Sequence, residues 1–349
     1  MKTLILIAVA LVFSFGKAEA QGSGTALTFD GIDDYLDMGD VLMLTGSDLS
    51  VELWLKTSQT VPGILAGKHH AGSLNGYHLQ FNSGSGYGLP NKANFYTADG
   101  PGGEAVSSTS VNNSEWHHIV GVYLASGTKH IYVDGQLEAT KAAPSPLGTN
   151  ARSFTVAAIV EGAFLNGTID EVRVWSRALS QSEIREQKHR SLTGAESGLV
   201  GYWQMDDGAG TTVSDMSGSG FDGTFVSVPV WVNSTVPLGV GASVTQSVDA
   251  TGQVSFPGTD LDLDFTAKTG ADDIVSTLIH TSPAGTQPPL NLTADRYWVV
   301  QQFGPGTLTA DMTFAFGPGS FDEAEQANPE SIILYSRETN GEGGWTQRA

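Results

Sequence analysis

The 349-residue sequence contains no cysteine, and only 17 lysines and arginines stand against 37 aspartates and glutamates. Without cysteine there is no disulfide staple, no thiolate metal site and no thiol nucleophile. Each domain must therefore bury enough apolar surface to stand alone. The formal charge of −20 repels phosphate backbones and anionic membranes, which excludes nucleic acid as an expected partner. The same field attracts calcium. Helix-period runs are almost missing, and no long apolar run follows the first twenty residues. No Gly-x-Ser-x-Gly elbow or phosphate loop is present; the glycine-rich stretch from Ser83 to Gly88 has no strand-to-helix context for nucleotides.

The N-terminus reads as an export leader. Lys2 supplies a positive charge, Leu4 to Phe15 an apolar core, and Ala18-Glu19-Ala20 a small-residue cleavage site. The expected mature chain starts at Gln21 and is secreted or held at the cell surface. Its 15 basic and 36 acidic residues give −21. The apolar core is too short to cross a bilayer.

Glycine is abundant, with 43 residues, and short alternating runs separated by Gly, Asn, Asp and Ser dominate. This is the pattern of β-sandwiches and jelly rolls. From Leu49 to Lys56, Val51, Leu53 and Leu55 face one way and Glu52, Trp54 and Lys56 the other. Asp134-Gly135 between two such runs signals a hairpin. One helix is expected, from about Gln181 to His189, because Ser180 and Glu183 form a capping box. Pro237-Leu238-Gly239 reads as a linker. Beyond it, from Gly241, 4 basic and 14 acidic residues give −10, and Leu261, Leu263 and Phe265 alternate with Asp260, Asp262 and Asp264. The spacing predicts a half-buried strand with an acidic outer face, in a second sandwich of about immunoglobulin size. No closing strand follows Trp345, so truncation within or just after this domain is expected.

Five segments in order carry a resemblance. They are Ala26-Leu27-Thr28-Phe29-Asp30-Gly31-Ile32-Asp33-Asp34-Tyr35, Ser50-Val51-Glu52-Leu53-Trp54, Trp116-His117-His118-Ile119-Val120, Ile131-Tyr132-Val133-Asp134-Gly135, and the run from Gly167 to Ser180 that contains Asp170-Glu171-Val172-Arg173-Val174-Trp175. Together they resemble a laminin-G-like, concanavalin A-like jelly roll of a secreted bacterial surface protein. Gly201-Tyr202-Trp203-Gln204-Met205, with Asp215-Met216-Ser217-Gly218 and Asp222-Gly223-Thr224, looks like a unit that often precedes the Phe-Asp-Gly motif in this family; here it follows, and completion of the same sandwich in permuted order is expected. The tail looks like a β-domain of Bacteroidetes-type surface proteins, carried by Arg296-Tyr297-Trp298 and Thr309-Ala310-Asp311-Met312-Thr313-Phe314. The expected organisation is a leader over 1–20, a jelly roll over 21–237 and an Ig-like sandwich over 241–349.

The resemblance implies a calcium site in many members. Calcium takes six to eight oxygens, and the resemblance points to Asp30 and Asp170 as ligands, with Asp33; an Asx turn alone also accounts for Asp30 and Asp33. For a glycan, Tyr87 is the best exposed ring in the glycine-rich loop, with His69, His70 and Asn91 near it in sequence, while Tyr77 and Tyr96 read as core strand residues. Neither His69-His70 nor His117-His118 can chelate one ion alone, because adjacent strand residues diverge. The same divergence separates Asp170 from Glu171, so the carboxylate pair of a glycosidase is missing. The expected function is a non-catalytic module that binds a glycan or mediates adhesion. The alternative is a structural or protein-binding spacer of a larger adhesin, and glycoside hydrolysis is the outsider.

Overall fold

The computed structural model describes residues 5–10, 24–70, 75–81, 90–97, 102–159, 162–281, 296–314, 334–337 and 346–347. The chain divides into two compact units. One comprises Gly24–Ile184 with Leu192–Asn233, the other Met1–Ser23, Arg185–Ser191 and Ser234–Ala349. Strand β1 (Ile5–Ala10) belongs to the second.

The first unit contains β2 (Thr25–Asp30), β3 (Tyr35–Asp37), β4 (Leu49–Lys56), β5 (Gly63–His70), β6 (Asn75–Phe81), β7 (Lys92–Thr97) and β8 (Ala105–Ser110). Then come β9 (Trp116–Leu124), β10 (Thr128–Val133), β11 (Gln136–Ala142), β12 (Thr155–Val156), β13 (Asn166–Trp175) and helix α1 (Gln181–Gln187). They are followed by β14 (Leu199–Trp203), β15 (Thr212–Val213), β16 (Gly223–Val226) and β17 (Val230–Asn233). Two antiparallel sheets result. The first runs β11-β10-β9-β4-β13-β2-β17, with β14 also on β13; the second runs β15-β16-β3-β12-β5-β6-β7-β8. The segment after the helix thus adds strands to both sheets of the same sandwich. Asp134 and Gly135 both take positive φ between β10 and β11, the requirement of a type I′ hairpin turn.

Alternation builds the core. Val51, Leu53 and Leu55 of β4 meet Leu65, Leu79 and Phe95 of the facing sheet. Gly121 lies against the Phe95 ring, where a Cβ would come within 2.4 Å of a ring carbon.

The opposite face of the first sheet is also dry. Val120, Val122, Tyr132, Trp175 and Tyr202 are covered by Leu179, Ile184, Leu192 and Leu199, from the helix and its flanks. The helix begins as its capping box requires: the Glu183 amide donates to Ser180 Oγ (3.2 Å) and the Ser180 amide to Glu183 Oε2 (2.9 Å).

Beneath this layer lies a buried ionic network. Glu52 Oε1 accepts from Trp175 Nε1 (3.0 Å) and Arg173 Nη1 (3.5 Å), and its other oxygen lies 3.2 Å from His118 Nε2. Arg173 Nη2 donates to Glu171 Oε2 (2.5 Å), which also accepts from the Tyr202 hydroxyl (2.8 Å). Buried charges persist only when paired in this way. Burial alone would raise the Glu52 carboxyl, but the His118 hydrogen bond and the Arg173 charge hold it at about 2, below its ordinary 4.5.

The second unit holds β18 (Gly241–Val248), β19 (Gly252–Phe256), β20 (Leu261–Thr269), β21 (Asp272–Ile279), β22 (Tyr297–Phe303), β23 (Thr307–Phe314), β24 (Leu334–Arg337) and β25 (Thr346–Gln347). Its sheets run β18-β21-β22-β1-β24-β25 and β19-β20-β23, around Phe256, Leu263, Phe265, Ile274, Leu278 and Trp298. The stretch expected as part of a leader core is here a strand, with Ile5 opposite Gln301 and Ala8 opposite Trp298 on β22, and Ile7 opposite Arg337 on β24. The Ala18-Glu19-Ala20 cleavage motif lies outside the described residues.

The network makes the first unit acid-sensitive. Glu52 takes its proton near 4.5 when unfolded and near 2 when folded. Its contribution, about 3 kcal/mol, is complete above the unfolded value and is lost as pH falls from there towards 2. Glu52→Gln should lower stability at pH 7 and flatten this acid limb, read as urea midpoints between pH 7 and pH 3. An unchanged acid limb would overturn the assignment.

Candidate functional site

The sheet register of the first unit assembles a polar row on the outside of β5, β6, β7 and β8. Gly67 pairs with His78, and His78 with Tyr96. Phe95 pairs with Ala105, which places Glu104 across from Tyr96. The intervening residues Tyr77, Leu79 and Phe95 belong to the core, so alternation sends His78, Gln80, Asn94 and Tyr96 outward. Gly67 is required here: a Cβ would meet that of His78 at 2.4 Å.

His69 joins this row from β5. Its ring lies edge-on to His78 (centroids 4.6 Å apart) and to Tyr96 (5.1 Å), while His78 and Tyr96 stack at 5.0 Å with 18° between planes. Lys129 Nζ sits 5.9 Å from the Tyr96 centroid and donates to Thr97 Oγ1 (2.8 Å).

The row is polar yet nearly dry. His69, His78, Tyr96 and Glu104 are all buried, His69 the most open at 6%. Among the described residues, neither ring nitrogen of His69, nor His78 Nδ1, nor Glu104 Oε1 has a hydrogen-bond partner. His78 Nε2 is paired with Gln80 Oε1 (3.0 Å). Burial holds the imidazoles well below their ordinary 6.5, at about 4 for His69 and about 3 for His78, the latter lowered further by the nearby Lys129 ammonium. Both rings are therefore neutral at pH 7, each with one donor and one acceptor nitrogen. Unsatisfied groups of this kind are costly in a low-dielectric site and are eased by any partner that both donates and accepts hydrogen bonds.

The expected ligand residues divide. His69 is in the row. His70 ends β5, half-exposed. Asn91 holds a turn at φ 63°, where its Oδ1 accepts from Asn112 Nδ2 (3.0 Å) and its carbonyl from the Val111 amide (3.0 Å). Tyr87 lies outside the described residues. Tyr77 is a core residue, its hydroxyl donating to the Leu42 carbonyl (2.8 Å). Tyr96 is buried too, but on the outer face rather than in the core cluster. His78 and Glu104 escaped sequence reasoning. The alternation of Tyr77-His78-Leu79-Gln80-Phe81 signalled the outward histidine, but only strand pairing places it beside His69.

The aspartates form a separate group. Carboxylate oxygens of Asp30, Asp33 and Asp34 lie within 4.8 Å of one another. Asp30 Oδ1 accepts from the Ile32 amide (2.7 Å) and Asp34 Oδ1 from the Val228 amide (2.8 Å). Asp170 does not join them. Asp30 pairs with Asn166, and Asp170 lies four residues further along β13, about 13 Å away. It is buried opposite Trp54.

The divergence expected of Asp170 and Glu171 also fails. The register shifts between Asp170 and Arg173, and Glu171 takes φ 53°, the signature of a bulge with one extra residue. The bulge swings Glu171 to the side of Arg173 and Tyr202. Glu171 and Glu52 then clamp one guanidinium. His117 is tied to Asp134 (2.8 Å) and Asn113 (3.0 Å).

Residues 30–185 match the family model described as the concanavalin A-like lectin/glucanases superfamily. No curated protein matches the sequence. Among solved structures, a candidate carbohydrate-binding protein from Bacteroides ovatus is 19% identical with a TM-score of 0.51, over 62% of each chain, so less than two thirds of that protein is spanned. A heptameric pentraxin from Limulus polyphemus is 14% identical over 47% of this chain and 81% of its own, with a TM-score of 0.35. Domain 4 of an extracellular arabinanase from Geobacillus stearothermophilus, solved with arabinotriose, is 17% identical over 51% and 79%, with a TM-score of 0.32. The match to the concanavalin A-like superfamily thus covers residues 30–185 of the first sandwich, and its paired antiparallel sheets are those of a jelly roll.

Proposed function

We propose that the jelly roll is a non-catalytic carbohydrate-binding module of a secreted or surface protein, with its glycan contact on the outer face of β5 to β8. The observation that carries this reading is four buried atoms without a hydrogen-bond partner among the described residues: both ring nitrogens of His69, His78 Nδ1 and Glu104 Oε1. Sugar hydroxyls donate and accept at once, so they suit neutral imidazoles beside a carboxylate. The likeness to the candidate carbohydrate-binding protein from Bacteroides ovatus is consistent with such a ligand. The carboxylates of this domain do not favour hydrolysis. Glu52 and Glu171 are locked to Arg173 under an apolar layer, where no glycosidic bond reaches them.

A calcium ion on Asp30, Asp33 and Asp34 is part of the proposal. Three converging carboxylates fit a hard cation, and two of their oxygens already fix the loop through the Ile32 and Val228 amides. The ion would rigidify this end of the sandwich and bring no reaction chemistry of its own.

Three measurements test these assignments. On a glycan array, the chain should give discrete hits, each weakened about tenfold or more by His78→Ala or Glu104→Gln, the loss of buried hydrogen bonds; a blank array would sink the reading. Binding to any hit should stay flat from pH 5.5 to 8, since His69 and His78 titrate at about 4 and about 3. A midpoint near 6.5 would contradict the buried, neutral state. Calcium titration calorimetry should show heat and a raised melting temperature, both lost in Asp33→Asn with Asp34→Asn but retained in Asp170→Asn.

A further inference from the structure

The smaller sheet of the second unit ends at β23. Among the described residues this strand pairs only with β20, and within that set its other edge presents backbone donors and acceptors as an edge strand does. Its inward residues Leu308, Ala310 and Met312 are only half-buried. They line a cavity of about 240 Å³ together with Leu263, Phe265 and Ile274. A well-packed sandwich leaves no apolar void of this size. The outward side carries the opposite chemistry. Asp264 and Asp311 stand directly across from each other and are both exposed, with Asp262 two residues along on the same face. Like charges in directly opposed positions destabilise a sheet, so this pair calls for a cationic neighbour.

We propose that β23 is an acceptor edge for an extended segment of a partner chain that alternates apolar and basic residues. Backbone pairing with β23 extends the small sheet to a fourth strand. The apolar side chains then enter the cavity beside Leu308 and Met312, and the lysines or arginines on the other face meet Asp311 and Asp264. The open edge, the half-covered apolar row and the opposed aspartates are each accounted for by this one occupant. A second copy of β23 is the wrong occupant, because it adds further aspartates to the same face. The inference concerns the second unit and does not rest on glycan binding by the first.

The test uses the full chain and fluorescein-labelled peptides as long as β23. One alternates valine and lysine, one alternates valine and glutamate, and one has the first peptide's composition with its valines and lysines in separate blocks. Fluorescence anisotropy should show binding of the first peptide and about tenfold or weaker binding of the others. Asp311→Lys should reverse the preference towards valine and glutamate. Hydrogen exchange of the wild-type chain should slow at backbone amides between Leu308 and Thr313 when the first peptide is added. Equal binding of the block peptide, which reports charge alone, would overturn the proposal, as would unchanged exchange along β23. Protection of the same amides by concentration-dependent dimerisation, without peptide, would replace the partner with a second copy and equally overturn it.

Discussion

The first sandwich depends on one constraint: its central strands β4 and β13 are buried on both faces. The inner face is ordinary hydrocarbon, Val51, Leu53 and Leu55 against the facing sheet. The outer face carries Glu52, Trp54, Arg173 and Trp175, all withdrawn from water. Charges in that position persist only as a closed network. Arg173 held between Glu52 and Glu171, with His118, Trp175 and Tyr202 filling the remaining directions, is such a network. The helix and its flanking residues are the lid that keeps it dry, so the capping box at Ser180 matters to the sheet as well as to the helix.

The same network settles what the conspicuous carboxylates do. Glu171 and Asp170 sit at a bulge, a local device that re-aims side chains. Here it turns Glu171 onto Arg173, while the β2–β13 register sets Asp170 far from the Asp30 turn. Glu52 and Glu171 both spend their carboxyl groups on the Arg173 guanidinium. On the second sheet, both ring nitrogens of His69, His78 Nδ1 and Glu104 Oε1 are buried without a hydrogen-bond partner among the described residues.

In the second unit the alternation of leucine and aspartate along β20 separates an apolar core from an acidic exterior. Pairing with β23 sharpens this by placing Asp264 against Asp311. The cavity beneath Leu308 and Met312 lies on the other side of the same strand. One short strand therefore combines an open edge, an apolar inner row and an acidic outer row.

Much of this was legible in the residues alone. Period-two alternation, Asp134-Gly135 and the Ser180 to Glu183 box are local signals, fixed by sterics and hydrogen bonding within a few residues, and they determined the strands, the hairpin and the helix start. The motif order determined the family. Long-range register was not legible, because a strand's sequence does not say which strand lies beside it. Only the tertiary structure set His69 beside His78 and Tyr96, excluded Asp170 from the acidic group, converted Glu171 into a ligand of Arg173 through a bulge, and made Ile5–Ala10 a strand between β22 and β24. The sequence by itself determined which residues face apart; strand pairing decided which of them meet, both between neighbouring strands, as for His69 and His78, and between segments as remote as those of Glu52 and Arg173, because register depends on contacts outside each strand.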